Sequence, residues 1–338
     1  MVKARAVGRE PTLYNRMRNI LVTGAVGQIG SELTMALRAR YGAANVVAAG
    51  HQTAPSATLR DSGPFETLDV VEPAALAKVV DKYAINEIYH MAALLSVVGE
   101  KNPQRCWQIN IDGLRNVLEL ARTRTGLRLF CPSSIAVFGS GTPRNQTPQD
   151  TILAPTTMYG ITKVAGELLC NYYFQRYQVD ARGLRYPGII SSETLPGGGT
   201  TDYAVEIFYK AIAEQRYTCF LGAATTLPML YMPDAIKATL DLMAADPKKL
   251  RHPTNYNLTA MSFSAAELAA EIQRHIPGFT VDYQPDFRQA IADSWPRSID
   301  DSVARQEWGW QPAFDLPAMT ADMLAKLRQR HAAGKLYH

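Results

Sequence analysis

The stretch TGAVGQIG, residues Thr23–Gly30, decides how the rest of the chain is to be read. It follows the β-rich run NILVTG (Asn19–Gly24) and opens a helical pattern that runs from Ile29 to Tyr41. Three glycines, Gly24, Gly27 and Gly30, fall in the turn between them. Without Cβ atoms, such a turn can tighten. A pyrophosphate can then approach the backbone N–H groups of Gln28 and Ile29 at the helix N-terminus. A glycine pattern alone could be a plain turn. Its place between strand and helix makes it a nucleotide cradle.

Working outward, short β-rich runs continue to alternate with longer helical ones, as in a parallel α/β sheet. The expected strands are Asn45–Ala49, Phe65–Val70, Glu87–Ala93, Arg128–Ser134 and Asp180–Gly188, with helices over Gln104–Arg124 and around Tyr159–Tyr177. The first of these helices is read from Trp107, Ile111, Leu114, Leu118 and Ala121, which recur at three- and four-residue steps. The fold class expected is α/β, a doubly wound parallel sheet of Rossmann type. Residues 19–188 form the nucleotide-binding domain. Residues 189–330, which begin with the glycine-rich loop LPGGGTTDY (Leu195–Tyr203), mainly form a smaller substrate-binding lobe.

Composition excludes several other classes. With 338 residues and 47% hydrophobic content the chain can build a large core. No apolar run approaches the ~18 residues of a membrane helix, so a soluble protein is expected. The net charge of +4 is spread along the chain, which argues against nucleic-acid binding. Cys106, Cys131, Cys170 and Cys219 lie far apart without metal-ligand spacing. Reduced thiols in a cytoplasmic protein, with no metal, are the expectation. Residues 1–18 are read as an N-terminal extension. Their basic, acid-poor character leaves a mitochondrial transit peptide as the alternative.

A dinucleotide site often places an acid at the tip of the second strand to bind the adenine ribose. Here that tip reads Gly50-His51-Gln52, with neither a carboxylate nor the Arg or Lys that a 2′-phosphate would want. NAD is expected over NADP, with His51 at the ribose and Asp69 and Val70 at the adenine edge. Asp69 could equally be a strand-end turn residue.

TTMYGITK (Thr156–Lys163) adds the chemistry. On a helix, Tyr159 and Lys163 share one face. A phenol is a poor base at neutral pH, but an adjacent ammonium and a nicotinamide cation both favour the phenolate. The strand-end pair Ser133-Ser134 could supply a hydroxyl to orient a substrate oxygen. Such a pair arises by chance on many helices. Together with the cradle and the serine it assigns Tyr159 as acid–base, Lys163 as its tuning group and Ser134 as the orienting hydroxyl.

With these motifs the sequence resembles the extended, UDP-galactose-epimerase-like branch of the short-chain dehydrogenase/reductase superfamily, over about residues 19–330. Four stretches narrow this: RYPGIIS (Arg185–Ser191), PGGGTTDYAVEIFYKAI (residues 196–212), LPMLYMPDAI (Leu227–Ile236) and DSWPRSIDDSVAR (Asp293–Arg305). They resemble the short-chain type L-threonine 3-dehydrogenases. That resemblance implies oxidation of the threonine C3 hydroxyl by NAD to 2-amino-3-oxobutanoate. Lys163 would also hold the nicotinamide ribose, and Pro187 and Gly188 would set the nicotinamide face. Ala92 and Asn110 would join the cofactor contacts. Ser96, Gly99, Thr200, Thr201, Asp202 and Trp295 would surround the amino acid. Thr201 and Asp202 could instead cap the next helix, Trp295 could be a core residue, and Arg185 fits a structural ion pair. Family members usually carry the ribose-binding aspartate where this chain has Gly50.

Two other functions compete. A nucleotide-sugar epimerase or dehydratase would follow the sixth strand with an asparagine, where this chain has Pro187-Gly188. A non-catalytic NAD sensor would be expected to lose the tyrosine or the lysine. A homodimer is expected, because apolar positions on the two helices (Leu114, Val117, Leu118; Leu168, Tyr172) are too many for one core.

Overall fold

The computed structural model describes residues 18–195, 197 and 199–337. The expected extension therefore lies outside the described residues through position 17, as do positions 196 and 198 of the glycine-rich loop. Six parallel strands make the central sheet: β1 (Ile20–Thr23), β2 (Val46–Gly50), β3 (Phe65–Thr67), β4 (Glu87–His90), β5 (Arg128–Phe130) and, after the two-residue β6 (Ser133–Ser134), β7 (Ala181–Arg182). Their spatial order is β3-β2-β1-β4-β5-β7, the doubly wound arrangement. The order reverses between β1 and β4, which pair in register from Ile20↔Glu87 to Thr23↔His90. Ligands of such sheets bind at the carboxyl ends beside that reversal. Every residue of β1, β2 and β4 is buried, as expected where helices cover both faces.

The expected sixth strand, Asp180–Gly188, breaks into three. β7 stays in the central sheet. β8 (Leu184–Tyr186) pairs with β6 and with Tyr256–Asn257, and β9 (Gly188–Ile190) joins Thr226–Tyr231. The breaks fall at Gly183, whose N–H turns aside to Pro253 O at 2.8 Å, and at Pro187, which has no N–H to give. The expected fifth strand likewise divides at Cys131-Pro132 into β5 and β6.

The expected helix Gln104–Arg124 also differs. It comprises Pro103–Trp107, a π-helical turn Gln108–Asp112 and Gly113–Thr123. The helix Met158–Tyr177 is continuous and begins at Thr157, whose Oγ1 accepts the Gly160 N–H at 3.1 Å. Helix Ala265–His275 opens with the capping box that its Ser-Ala-Ala-Glu pattern predicts.

The second half of the chain does not stand apart. Met232, Ala235, Ala238 and Leu242 pack with Leu33 and Leu37 of the first helix α1 (Gln28–Tyr41) in one buried cluster. A second cluster joins Ile135–Phe138 to helix Tyr203–Ala213 and to helix Leu316–Ala332. Among the described residues, no helix is long and apolar enough to cross a membrane, and no group of three His, Cys, Asp or Glu side chains could hold a metal ion.

Candidate active site

The glycines act through close backbone approach. Gly24 has φ +63°, and a Cβ there would lie 2.6 Å from Ala92 N. A Cβ on Gly30 would lie 2.2 Å from Gly24 O. The turn therefore closes tightly against the exit of β4. Gly27 caps α1 without a side-chain hydrogen bond, and the first turn of α1 holds no acid. Its N–H groups and its positive dipole end are left for an anion. Gln28 Nε2, buried on the cleft wall, has no partner in the protein. A concave backbone cradle with an unpaired amide donor beside it suits the diphosphate of a dinucleotide, so the residues present fit NAD.

The opposite wall is built by helix Met158–Tyr177. A Cβ on Gly160 would lie 2.3 Å from Ala136 O and 2.6 Å from Pro155 Cβ. Only glycine lets the helix start press against the turn Ile135–Val137, and that contact brings Tyr159 to Ser134. Ser134 Oγ accepts the Ala136 N–H at 3.2 Å, which fixes its direction, and Ser134 and Tyr159 line the same cleft. Lys163 Nζ donates to Pro132 O at 2.8 Å and stands 5.5 Å from the Tyr159 ring centre.

Burial dominates the charge states here. It pushes the Tyr159 phenol up to about 12, and the neighbouring Ser134 hydroxyl only partly offsets this. It also brings the Lys163 ammonium down to about 8. The expected lowering of the phenol by Lys163 is not found, because desolvation of the phenolate outweighs it in the protein alone.

One cleft of about 240 Å³ joins these parts. It brings together Gly24, Gly27, Gln28, Ile29, Gly30, Ser96, Ser134, Tyr159, Lys163, Pro187, Gly188, Thr200, Thr201, Asp202 and Trp295, all named from the sequence. Thr200 is buried and its Oγ1 has no partner in the protein. Asp202 precedes helix Tyr203–Ala213 and accepts the Gly199 N–H at 2.7 Å, so it also ties the loop. Trp295 belongs to the core cluster and still reaches the cleft.

Seven named residues do not line it. Asn110 is turned inward: its Oδ1 accepts the Leu94 N–H at 2.8 Å, and its Nδ2 donates to Leu94 O and to Thr162 Oγ1. It holds the segment after β4 in place. Ala92 backs onto Gly24, and Gly99 makes room for Cys106, whose Sγ would lie 2.9 Å from an added Cβ. Val70 is buried against Gly113. His51 and Asp69 pair with each other, Nδ1 to Oδ2, at 3.0 Å, and Asp69 also accepts the Val71 N–H. Arg185 forms a bidentate ion pair with Glu167, at 2.9 and 2.8 Å, away from the cleft. Sequence reasoning missed Gly160, although it stands inside TTMYGITK. It also missed Met91, Ile135 and Tyr186, for which no sequence signal existed.

The profile of the NAD dependent epimerase/dehydratase family matches residues 20–259. The chain belongs to that family. Within it, the chain is 50% identical over 315 residues to an uncharacterized epimerase/dehydratase of Staphylococcus haemolyticus, covering 93% of this chain and 99% of the relative. Among solved structures it is similar to L-threonine dehydrogenase from Clostridium difficile, with 48% identity, a TM-score of 0.91, and 93% and 98% of the two chains covered. L-threonine dehydrogenase from Phytophthora infestans gives 51% identity and a TM-score of 0.89 over 92% and 99%. A monomeric L-threonine 3-dehydrogenase of metagenomic origin gives 48% identity and a TM-score of 0.88 over 92% and 99%. The cleft is thus that of an NAD-dependent oxidoreductase of the extended short-chain type.

Proposed function

We propose that this family member oxidises the C3 hydroxyl of L-threonine to 2-amino-3-oxobutanoate with NAD. The observation that carries the reading is that Ser134, Tyr159 and Lys163 line one cleft together with the glycine cradle and the Thr200-Thr201-Asp202 segment. Similarity near one-half to L-threonine dehydrogenases supports the choice of substrate.

NAD, when bound, supplies the hydride acceptor. The Gly24–Gly30 turn and the N-terminus of α1 would hold its diphosphate, and His51 and Asp69, beyond the ends of β2 and β3, would take its adenosine end. Pro187 and Gly188 form the wall at the nicotinamide. Ser134 donates to the substrate C3 oxygen and fixes it beside Tyr159. Tyr159, as phenolate, takes the hydroxyl proton, and the Lys163 ammonium stabilises that phenolate. Thr200 Oγ1 offers a hydrogen bond for the amino-acid end, and Asp202 a negative charge for its ammonium. Four buried free cysteines support the cytoplasmic reading.

The test is NADH formation with L-threonine, set against UDP-galactose as substrate. Turnover of the sugar nucleotide without threonine oxidation would overturn the reading in favour of an epimerase. NADH binding without turnover of either would favour a sensor.

A further inference from the structure

Adjoining the cleft, with Ala93, Pro132, Ser133 and Lys163 lining both, lies a smaller chamber of about 30 Å³. His90, Asn110, Ser133, Thr162, Lys163 and Glu167 supply its polar wall. Most of these groups are already engaged. Asn110 and Thr162 bond each other, Thr162 Oγ1 also donates to Tyr159 O at 2.8 Å, and Ser133 Oγ donates to Glu167. His90, the last residue of β4, is the exception. It is 5% exposed, its Nδ1 lies 3.0 Å from Thr23 Oγ1, and its Nε2 has no partner in the protein.

Lys163 lines both the chamber and the cleft, and so does Pro132, whose carbonyl its ammonium bonds. An ammonium has three N–H donors, and Pro132 O takes one. A buried polar atom left unpaired is strongly disfavoured, and so is a buried N–H of a charged group. A cavity holds a water once about 10–15 Å³ is open to it and two or more polar partners face it. This chamber meets both conditions.

We propose that the chamber holds an ordered water that accepts from Lys163 Nζ and donates to His90 Nε2, making His90 a positioning residue for Lys163. The arrangement also fixes the imidazole. Nε2 must be the acceptor, so the proton sits on Nδ1 and is donated to Thr23 Oγ1. Burial and the nearby Lys163 charge hold His90 neutral, with its pKa down to about 3, which this tautomer needs. The ammonium thus reaches the phenol from a fixed point on the central sheet.

The inference rests on the proposed roles of Tyr159 and Lys163, and its first two tests need no substrate. A high-resolution crystal structure should show water between Lys163 Nζ and His90 Nε2. Nitrogen NMR of labelled protein should show the Nδ1–H tautomer at His90 across neutral pH. An empty chamber, or the Nε2–H tautomer, would overturn the proposal while leaving the threonine assay standing. A filled chamber in a protein inactive on threonine would instead overturn only the substrate reading.

His90→Leu should lower kcat about ten-fold, the scale of one hydrogen bond to a charged group, and shift the pH profile of kcat. Glu167, Cys106, Cys131 and Cys170 face the same ammonium and are unchanged by the variant. His90→Gln, which can still accept from the water, should recover most of the rate. Equal losses in both variants, with unaltered pH profiles, would mean that His90 is only a packing residue. If His90→Leu does not fold, Thr23→Val removes the partner of Nδ1 without entering the chamber; the Nδ1–H tautomer should persist there because the water still donates to Nε2, and a switch to the Nε2–H tautomer would overturn the proposal.

Discussion

At the scale of single residues, the proposed reaction rests on Tyr159. Tyr159→Phe should leave the fold and NADH binding intact and reduce kcat by at least ~10³-fold, since a positioned base contributes ~10²–10⁴ and this one also fixes the substrate. Ser134→Ala should lose less, because it only orients the oxygen. A Phe variant with a tenth of the wild-type kcat would show that another group is the base. The pH dependence follows from the phenol's position near 12. A base is active when deprotonated, so kcat/KM for oxidation should rise as pH climbs from 7 towards 10. Lys163, which loses its charge above about 8, makes that rise shallower than ten-fold per unit. A flat profile over this range would argue against Tyr159. Gly50 is the other residue that sets behaviour. Gly50→Asp should lower the NAD KM by about ten-fold and widen the preference over NADP, as a charged hydrogen-bond acceptor does. The new Cβ would lie 3.0 Å from Val26 Cγ1 and 3.3 Å from Phe65, so the gain requires both side chains to give way. An unchanged cofactor ratio would place the ribose elsewhere.

At the scale of elements, the decisive contact is between the start of helix Met158–Tyr177 and the turn Ile135–Val137. Gly160→Ala puts a Cβ against Ala136 O and must push the helix outward. Overpacking of this kind costs about 1–3 kcal/mol, which denaturant unfolding would register. Because Tyr159 moves with the helix, kcat should fall further than that loss of stability implies. A variant of normal activity would mean that the turn, not the helix, yields. The Tyr-x-x-x-Lys pattern was legible because it depends only on helical spacing. Gly160 was not, because its partner Ala136 comes from a different element.

At the scale of the whole molecule, the question is what covers the outer face of that same helix. Leu168 and Tyr172 are 64% and 52% exposed, as a pairing surface requires. The expected contribution of Leu114, Val117 and Leu118 is not there, since all three are buried inside the chain's own core. We propose a homodimer through the Leu168–Tyr172 face. Light scattering should give twice 37.3 kDa, and Leu168→Glu should return the single-chain mass. A wild-type mass of 37.3 kDa would instead group this chain with its monomeric structural neighbour.

What the sequence determined by itself was whatever repeats along the chain or sits within one turn of it. The alternation of strands and helices, the glycine cradle after β1 and the Tyr159–Lys163 face all depend on local spacing, which sequence displays directly. The tertiary structure alone decided the rest. It split the expected sixth strand among three sheets, because the hydrogen-bond partners of Gly183, β8 and β9 come from distant segments. It turned Asn110 away from the cleft to satisfy the backbone of Leu94. It also raised the Tyr159 phenol where the neighbouring lysine suggested the opposite. Desolvation depends on everything that surrounds a group, and a one-dimensional pattern records only its neighbours along the chain.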